Sequence, residues 1–577
     1  MTDVQAVHPL GIRAKILLSS VFGPYAQDDE YGSRKINPME LYHNQVTRAQ
    51  GAFSLRMFHR SFGLLLIHAN IEAPCTFLDF PSLDRFVSEL QEKTYDVIGI
   101  SAIIPNAGKV RKMCEVIRQY QPKAKIIIGG HIANKGDITE ISGADHIVRG
   151  DGIRWFRKFL GQDENAPVRH PIIDSGFGTR IIGYSLPHKP GDGNTAAILL
   201  PSAGCPVGCN FCSTSALFGG KGNFINFYET GDEIFKVMCR LEEKLSTQSF
   251  FVMDENFLLH RKRALRLLEL MEENRKSWSL YVFSSARVLR SYEMDQLVRM
   301  GIAWVWMGVE GKGSQYRKLR DVDTRELVKL LQSHGIRVLG SSIIGLEDHT
   351  PDNIDDVIDY AVSHHTDFHQ FMLYSPNQGT PLYEEHKKDG TLFPESEFPA
   401  ADTHGQYRFP FRHRHIHDGQ EEEFIMEAFR RDFEVNGPSL ARLIRTTLRG
   451  WQQYKNHPDK CIRERVDREV DPLRSSYAGA VWAMRKWYQG NERIRKQMDD
   501  LLRDICEEFG AKTKIAAPLM GRYLYTLLKK EDRQLATGKT YEPETFYEKN
   551  AAALALEKNV RAVNISPKML KVQWVKG

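Results

Sequence analysis

The sequence predicts an α/β protein in three parts: an N-terminal Rossmann-like doubly wound parallel sheet, a central partial (β/α)6 barrel and a C-terminal α-helical domain. Three observations predict it. Short apolar runs of strand length alternate with amphipathic stretches over residues 13 to about 160. The same alternation resumes from Ala196 to about Lys388. Beyond about residue 420 only helical periodicity remains. The expected domains are therefore 1–160, 196–400 and 401–577, with a linker at 161–195 that is rich in Pro, Gly and His.

In the first part the strands are expected at 14–19, 75–80, 96–101, 125–128 and 145–148. Ser82 stands where it can N-cap the amphipathic run that follows it, and further helices are expected at 62–69, 109–120 and 155–160. Three segments lie at the expected carboxyl ends of strands: Ser101 with the loop through Asn106, then Gly129-Gly130-His131, then Gly150-Asp151-Gly152. Parallel sheets bind ligands at these ends, and glycines there let a large flat ligand approach the backbone closely.

In the central part six strands are expected at about 197–200, 249–253, 279–284, 304–309, 337–344 and 368–374. Reactive groups of such barrels sit at the carboxyl ends of the strands. The tail carries Trp451, Trp482 and Trp487 at helical spacing, which reads as core, and the tail is expected to close the barrel mouth.

Composition sets outer limits. No apolar run of the 577 residues approaches the roughly 20 that a membrane helix needs. The N-terminus lacks a basic region followed by an apolar stretch, so a cytoplasmic location is expected. The net charge of +5 divides unevenly. From residue 401 onward 33 Lys and Arg face 25 Asp and Glu, or +8, which leaves −3 for the rest. That reads as a solvated helical surface, and no nucleic-acid motif accompanies it.

Eight cysteines are too few for a disulfide framework in so long a chain, yet Cys205, Cys209 and Cys212 fall within eight residues. Their spacing, C-x3-C-x2-C with Phe211 before the third, follows directly on the first barrel strand. Zinc would normally take four closed ligands, and a chance cluster of structural thiols is a second alternative. Three thiolates can also hold three irons of a four-iron cluster and leave the fourth iron open.

The stretch Cys205-Pro206-Val207-Gly208-Cys209-Asn210-Phe211-Cys212 resembles the signature of the radical S-adenosylmethionine (SAM) superfamily, and the resemblance extends over about residues 196–390. It implies a [4Fe–4S] cluster that reduces SAM to a 5′-deoxyadenosyl radical, and with it an electron donor such as flavodoxin or ferredoxin. Met253-Asp254-Glu255-Asn256-Phe257 resembles the family's acidic motif near the methionine end of SAM. Arg287 is then a candidate for the carboxylate, and Glu310 for the ribose or amino group. Ser341, Ile343 and Gly345 lie in a segment that resembles the adenine-holding backbone motif, with Ser341 in place of a Gly. Phe211 completes the implied SAM-binding set.

The first sheet resembles the cobalamin-binding domain that precedes many radical SAM domains. That resemblance implies cobalamin bound by Ser101, Asn106, Gly129, Gly130, His131, Gly150, Asp151 and Gly152. The Asp-x-His-x-x-Gly motif that would bring a His to cobalt is missing, which implies cobalt with no protein His beneath it. Gly130→Val is expected to clash with the ligand. The layout as a whole resembles cobalamin-dependent radical SAM enzymes, which implies methylation of an unactivated carbon or phosphorus on a small-molecule or lipid substrate. Oxidative cyclisation or rearrangement without methyl transfer is the first alternative. A non-catalytic cobalamin and iron–sulfur sensor is the second.

Overall fold

The computed structural model describes residues 6–23, 60–175, 196–310, 322–405, 407–537 and 545–564, with short pieces at 50, 53, 180–181 and 184–185. The chain forms two compact units, 1–32 with 60–171 and 542–577, and 33–59 with 172–541.

The first unit is built on the parallel strands β1 (Ile16–Ser20), β2 (Cys75–Asp79), β3 (Val97–Ser101), β4 (Lys125–Gly129) and β5 (His146–Ile147). Helices between them cover both faces, so the inner strands are apolar throughout: Ile16, Leu17, Leu18, Val97 and Ile98 are fully buried. Ser82 caps the helix Leu83–Glu92 by accepting from Arg85 N, as its position in the sequence suggests. The sheet order is β2-β1-β3-β4-β5, so the chain reverses direction across the sheet between β1 and β3. A doubly wound sheet opens its ligand crevice at that reversal.

A sixth strand completes this sheet from far along the chain. Phe546–Lys549 pairs antiparallel with β2, Phe546 opposite Asp79 and Lys549 opposite Thr76. Asn550 Oδ1 accepts from Cys75 N at 3.0 Å, and Arg60 bridges Asp79 and Glu548 at 3.1 and 2.8 Å. Residues 401–577 were expected as one helical domain; most of them are helical, but 542–577 belong to the first unit. This last segment returns to the first sheet and covers an otherwise open edge.

The second unit contains six parallel strands in sequential order: β6 (Ala196–Leu199), β7 (Ser249–Val252), β8 (Ser279–Ser284), β9 (Ile302–Gly308), β10 (Arg337–Ile344) and β11 (Phe368–Leu373). The first and last do not pair, so the barrel is open. Leu280, Val282, Val305, Met307 and Val338 face the outer helices in one large core.

The tail forms six helices between Gln420 and Ala536. Where the tail was expected to close the mouth, most of its described helices pack at the opposite end of the strands, while Ile425 and Phe429 of the first pack with Ile344 and Leu373. Tail residues Leu443, Ile444, Leu448, Leu473 and Val481 pack with Trp304, Leu339 and Phe368, which face inward in the amino-terminal half of the barrel strands. The contact is close because it is backbone on backbone. A Cβ at Gly450 would stand 2.8 Å from the Gly335 Cα. Trp482 and Trp487 lie among the tail helices, against Gly521 and Tyr525 respectively, as helical spacing predicts for core.

Candidate functional site

The cysteine loop begins where β6 ends. Two glycines shape it. Gly204 has φ +86° and Gly208 has φ +67°, the left-handed region that costs other residues strain. A Cβ at Gly208 would lie 2.5 Å from the Lys221 backbone, so the loop is pressed onto the turn at 219–222, where Gly222 N donates to Pro206 O at 2.9 Å. Ser215 anchors the loop from the following helix: its Oγ donates to Cys205 O at 2.9 Å, and its N to Cys212 Sγ at 3.5 Å. Cys205, Cys209 and Cys212 are all half-buried and free of disulfides. Burial pushes the Cys205 thiol up to about 11, helped by Cys212, Cys209 and Glu255 beside it. A coordinated metal reverses that preference, because metal binding displaces the thiol proton.

Among the described residues no three His, Cys, Asp or Glu side chains converge on a single metal ion. One loop offering three half-buried thiols suits a cluster that takes one thiolate on each of three irons. Phe211 sets its ring edge-on to Tyr374 at 6.2 Å and packs against the Ile343–Ile344 core.

Beside this loop, the segment just after β7, the strand paired with β6, carries two neighbouring acids with different surroundings. Asp254 is buried and fully engaged. Its Oδ2 meets Arg263 Nη2 at 2.7 Å and accepts from Ser202 Oγ at 2.5 Å, and its Oδ1 accepts from Asn256 N at 3.0 Å. This carboxylate holds the strand end in place. Glu255 instead keeps a buried Oε2 with no partner among the described residues. Burial, with Asp254 adding to it, raises its carboxyl to about 7. A buried oxygen left unpaired costs free energy unless a ligand donates to it, and the amino group of SAM is such a donor.

Glu310 is also buried, at φ +45°, and its backbone N–H is held by Ser341 O at 3.2 Å. Gly345 has φ +84°, and a Cβ there would meet the Phe409 ring at 2.2 Å. His349 Nδ1 accepts from both Gly345 N and Leu346 N, at 3.0 and 3.2 Å. Burial lowers this His to about 4, which keeps it neutral and accepting. Phe409 and His349 therefore fix the turn after β10, and sequence reasoning missed both. Ile343 is buried beside the turn. Arg287 lies exposed on a short helix.

In the first unit the three loops diverge in character. Asn106 is fully buried between β3 and the next helix, and neither atom of its carboxamide has a partner among the described residues. Cobalamin carries a rim of carboxamides, which pair with both atoms of such a group. Ser101, Gly129, Gly130 and His131 are half-buried around it at the ends of β3 and β4, and burial lowers the His131 pKa. Gly130 has φ +82°, and a Cβ there would meet Ala102 O and Ser101 Oγ at 2.7 Å. A larger residue thus strikes the protein's own neighbouring loop. Asp151 Oδ1 caps the next helix by accepting from Ile153 N and Arg154 N, each at 3.0 Å. A Cβ at Gly152 would press on Ile67, whereas Gly150 faces open space.

Comparison with known proteins completes the picture. The family model of the B12 binding domain matches residues 51–160, and that of the Radical SAM superfamily matches residues 199–361. Residues 199–361 thus carry a Radical SAM superfamily domain, and residues 51–160 a B12 binding domain. The chain's second unit takes SAM and a [4Fe–4S] cluster, and its B12 binding domain takes cobalamin. An uncharacterized methyltransferase of Pyrococcus horikoshii is 23% identical over 321 residues, covering 50% of this chain and 69% of the relative. The bacteriochlorophyllide d C-12(1)-methyltransferase of Chlorobaculum tepidum is 29% identical over 196 residues, or 33% and 42% of the two chains. The anaerobic magnesium-protoporphyrin IX monomethyl ester cyclase of Cereibacter sphaeroides is 23% identical over 378 residues, or 57% and 60%. Of these last two relatives the chain spans less than two thirds.

Proposed function

We propose that this radical SAM enzyme is a cobalamin-dependent methyltransferase acting on an unactivated carbon or phosphorus of a small-molecule or lipid substrate. The observation that carries the reading is the union of a B12 binding domain and a radical SAM domain in one chain whose first relatives bear the name methyltransferase. Together the three groups supply an electron, a hydrogen-abstracting radical and a methyl group.

The residues of the chain do the rest. Cys205, Cys209 and Cys212 hold the cluster at the barrel mouth. Glu255 receives the amino group of SAM on its unpaired oxygen, and Glu310 lies at the end of β9 for the ribose or amino group. Phe211 flanks the cluster loop. The turn at Ile343–Gly345, with Ser341 before it, meets adenine through its backbone, and His349 holds that backbone still. Asp254 orients the segment that bears Glu255. Asn106, with Ser101, Gly129, Gly130 and His131 around it, takes the amide rim of cobalamin. A cytoplasmic location and a flavodoxin or ferredoxin as electron donor complete the proposal.

Labelled methyl of SAM tests it. Reconstituted enzyme with dithionite should pass the label to product. The cyclase relatives favour a second reading, in which 5′-deoxyadenosine accumulates with substrate conversion but no label reaches product. That outcome would replace the first reading.

A further inference from the structure

Side chains on the barrel strands alternate between the outer helices and the lumen, and the inward set changes along their length. In the amino-terminal half it is Trp304 and Phe368, 9% and 2% exposed beneath the tail. One step nearer the mouth, Phe283, Trp306, Ser341 and Gln370 are only half-buried. Rings that served solely as core would be covered as Trp304 and Phe368 are.

Phe251, Phe283 and Trp306 form a run across three neighbouring strands. Their centroids are 5.8 and 4.9 Å apart, with interplanar angles of 26° and 28°. At such separations the rings are offset-stacked, and Phe283 and Trp306 keep part of their surface exposed. The rim of an aromatic ring is the positive part of its quadrupole and attracts the π-face of another ring.

At the end of the run Trp306 Nε1 donates to Ser341 Oγ at 2.8 Å, and Ser341 Oγ donates to Gln370 Oε1 at 2.9 Å. An indole N–H can only donate, so the Ser341 hydroxyl accepts it and gives its own proton to Gln370. The carboxamide is thereby oriented with its oxygen on Ser341. Its NH2 has no partner among the described residues and belongs to a half-buried side chain.

We infer that this row is the floor of the substrate pocket and that it selects a flat, conjugated ring system with a carbonyl or carboxylate at one edge. The π-face lies across Phe283 and Trp306, with the buried Phe251 stacked on Phe283, and the edge oxygen accepts from Gln370 Nε2. The inference rests on the radical SAM reading, which puts the reacting centre at the same mouth. A saturated polycyclic lipid has no π-face to offer these rings.

The test uses anaerobically reconstituted full-length enzyme and three probes: protoporphyrin IX, indole-3-carboxylate and 5β-cholanate, the last carrying a carboxylate on a saturated frame. Absorbance shifts report the porphyrin, and calorimetry the other two. At least one flat probe should bind, with cholanate tenfold or more weaker. Phe283→Leu should weaken the flat probe about tenfold. Gln370→Glu, nearly isosteric, should weaken it at least about fivefold by replacing a donor with an acceptor. Binding of neither flat probe, cholanate binding as tight as theirs, or unchanged affinity in both variants would overturn the inference.

5′-Deoxyadenosine from the wild type separates the two failures. If it forms while no flat probe binds, the floor falls and the radical reading stands. If a flat probe binds as described and no 5′-deoxyadenosine forms, the floor stands and the radical reading falls.

Discussion

At the amino ends of the barrel strands, Glu469 of the tail is ringed by Arg337 at 3.1 Å, Arg465 at 3.6 Å and Ser279 at 2.7 Å. At the carboxyl ends, Glu255 keeps a buried oxygen with no partner among the described residues. Both acids are largely withdrawn from water, and the sheet is the same. Burial pushes both carboxyls up, but Arg337 and Arg465 reverse the effect at Glu469 and hold it below the usual range, while Glu255 rises to about 7. A buried charge that is paired belongs to the architecture. One left unpaired is an expense the fold sustains only where a ligand relieves it. The difference follows from what covers each end: the tail supplies partners at the foot, while the mouth is the end at which such barrels bind their ligands.

The largest expected effect is at the mouth. Changing Cys205, Cys209 and Cys212 together to Ala should remove the brown chromophore and all cluster iron from anaerobically purified protein. Iron near four per chain in that triple variant would remove these residues from the cluster. Iron should survive changes at Cys75, Cys114, Cys239, Cys461 and Cys506, none of which lies in the cysteine loop.

The next effect is at the foot. Glu469→Ala leaves Arg337 and Arg465 buried without their counter-charge and should cost about 3–5 kcal/mol, read as a lower urea midpoint. The pH dependence has a definite sign. The folded carboxyl lies below its unfolded value, so its stabilisation is complete above the unfolded pKa and is lost as pH falls through the folded one. Wild type and variant should therefore converge in stability on acidification. A gap that widens in acid would contradict the pairing.

In the first unit, Gly130→Val should destabilise the fold by about 1–3 kcal/mol, because a side chain at φ +82° meets Ala102 O. The loss should be the same with and without cobalamin. A variant with wild-type stability that fails to bind cobalamin would show that the ligand, and not the neighbouring loop, occupies that space.

The smallest expected effects separate two groups proposed for one cofactor. Glu255→Gln should keep its iron and weaken SAM binding by about tenfold, since a charge-assisted hydrogen bond becomes a neutral one. Arg287→Ala, on an exposed helix, should stay within about 0.5 kcal/mol of the wild type in stability. Its SAM affinity should also be unchanged. A large loss of affinity at Arg287 would mean that the side chain swings into the mouth when SAM binds.

The sequence by itself determined the two parallel sheets, because buried β-strands write themselves as continuous apolar runs such as Ile16-Leu17-Leu18. It also determined the cluster loop, because three thiols at C-x3-C-x2-C need no partner from elsewhere in the chain. Only tertiary structure decided the rest. The sequence cannot tell that Asp254 faces Arg263 while its neighbour Glu255 lies beside Cys205 with one oxygen unpaired among the described residues, since the two acids differ only in what other elements bring to them. Nor does Phe546-Tyr547-Glu548-Lys549 announce itself as the outer strand of a sheet that begins more than 500 residues earlier, because four residues carry too little periodicity to name a partner. The fixed turn at Gly345 depends likewise on Phe409, over 60 residues away, and on the φ of a glycine whose freedom is visible in the sequence but whose use is not. Local pattern follows from which face of an element must leave water. Pairing between distant residues follows from how those elements stack, and that is settled only when the whole core forms.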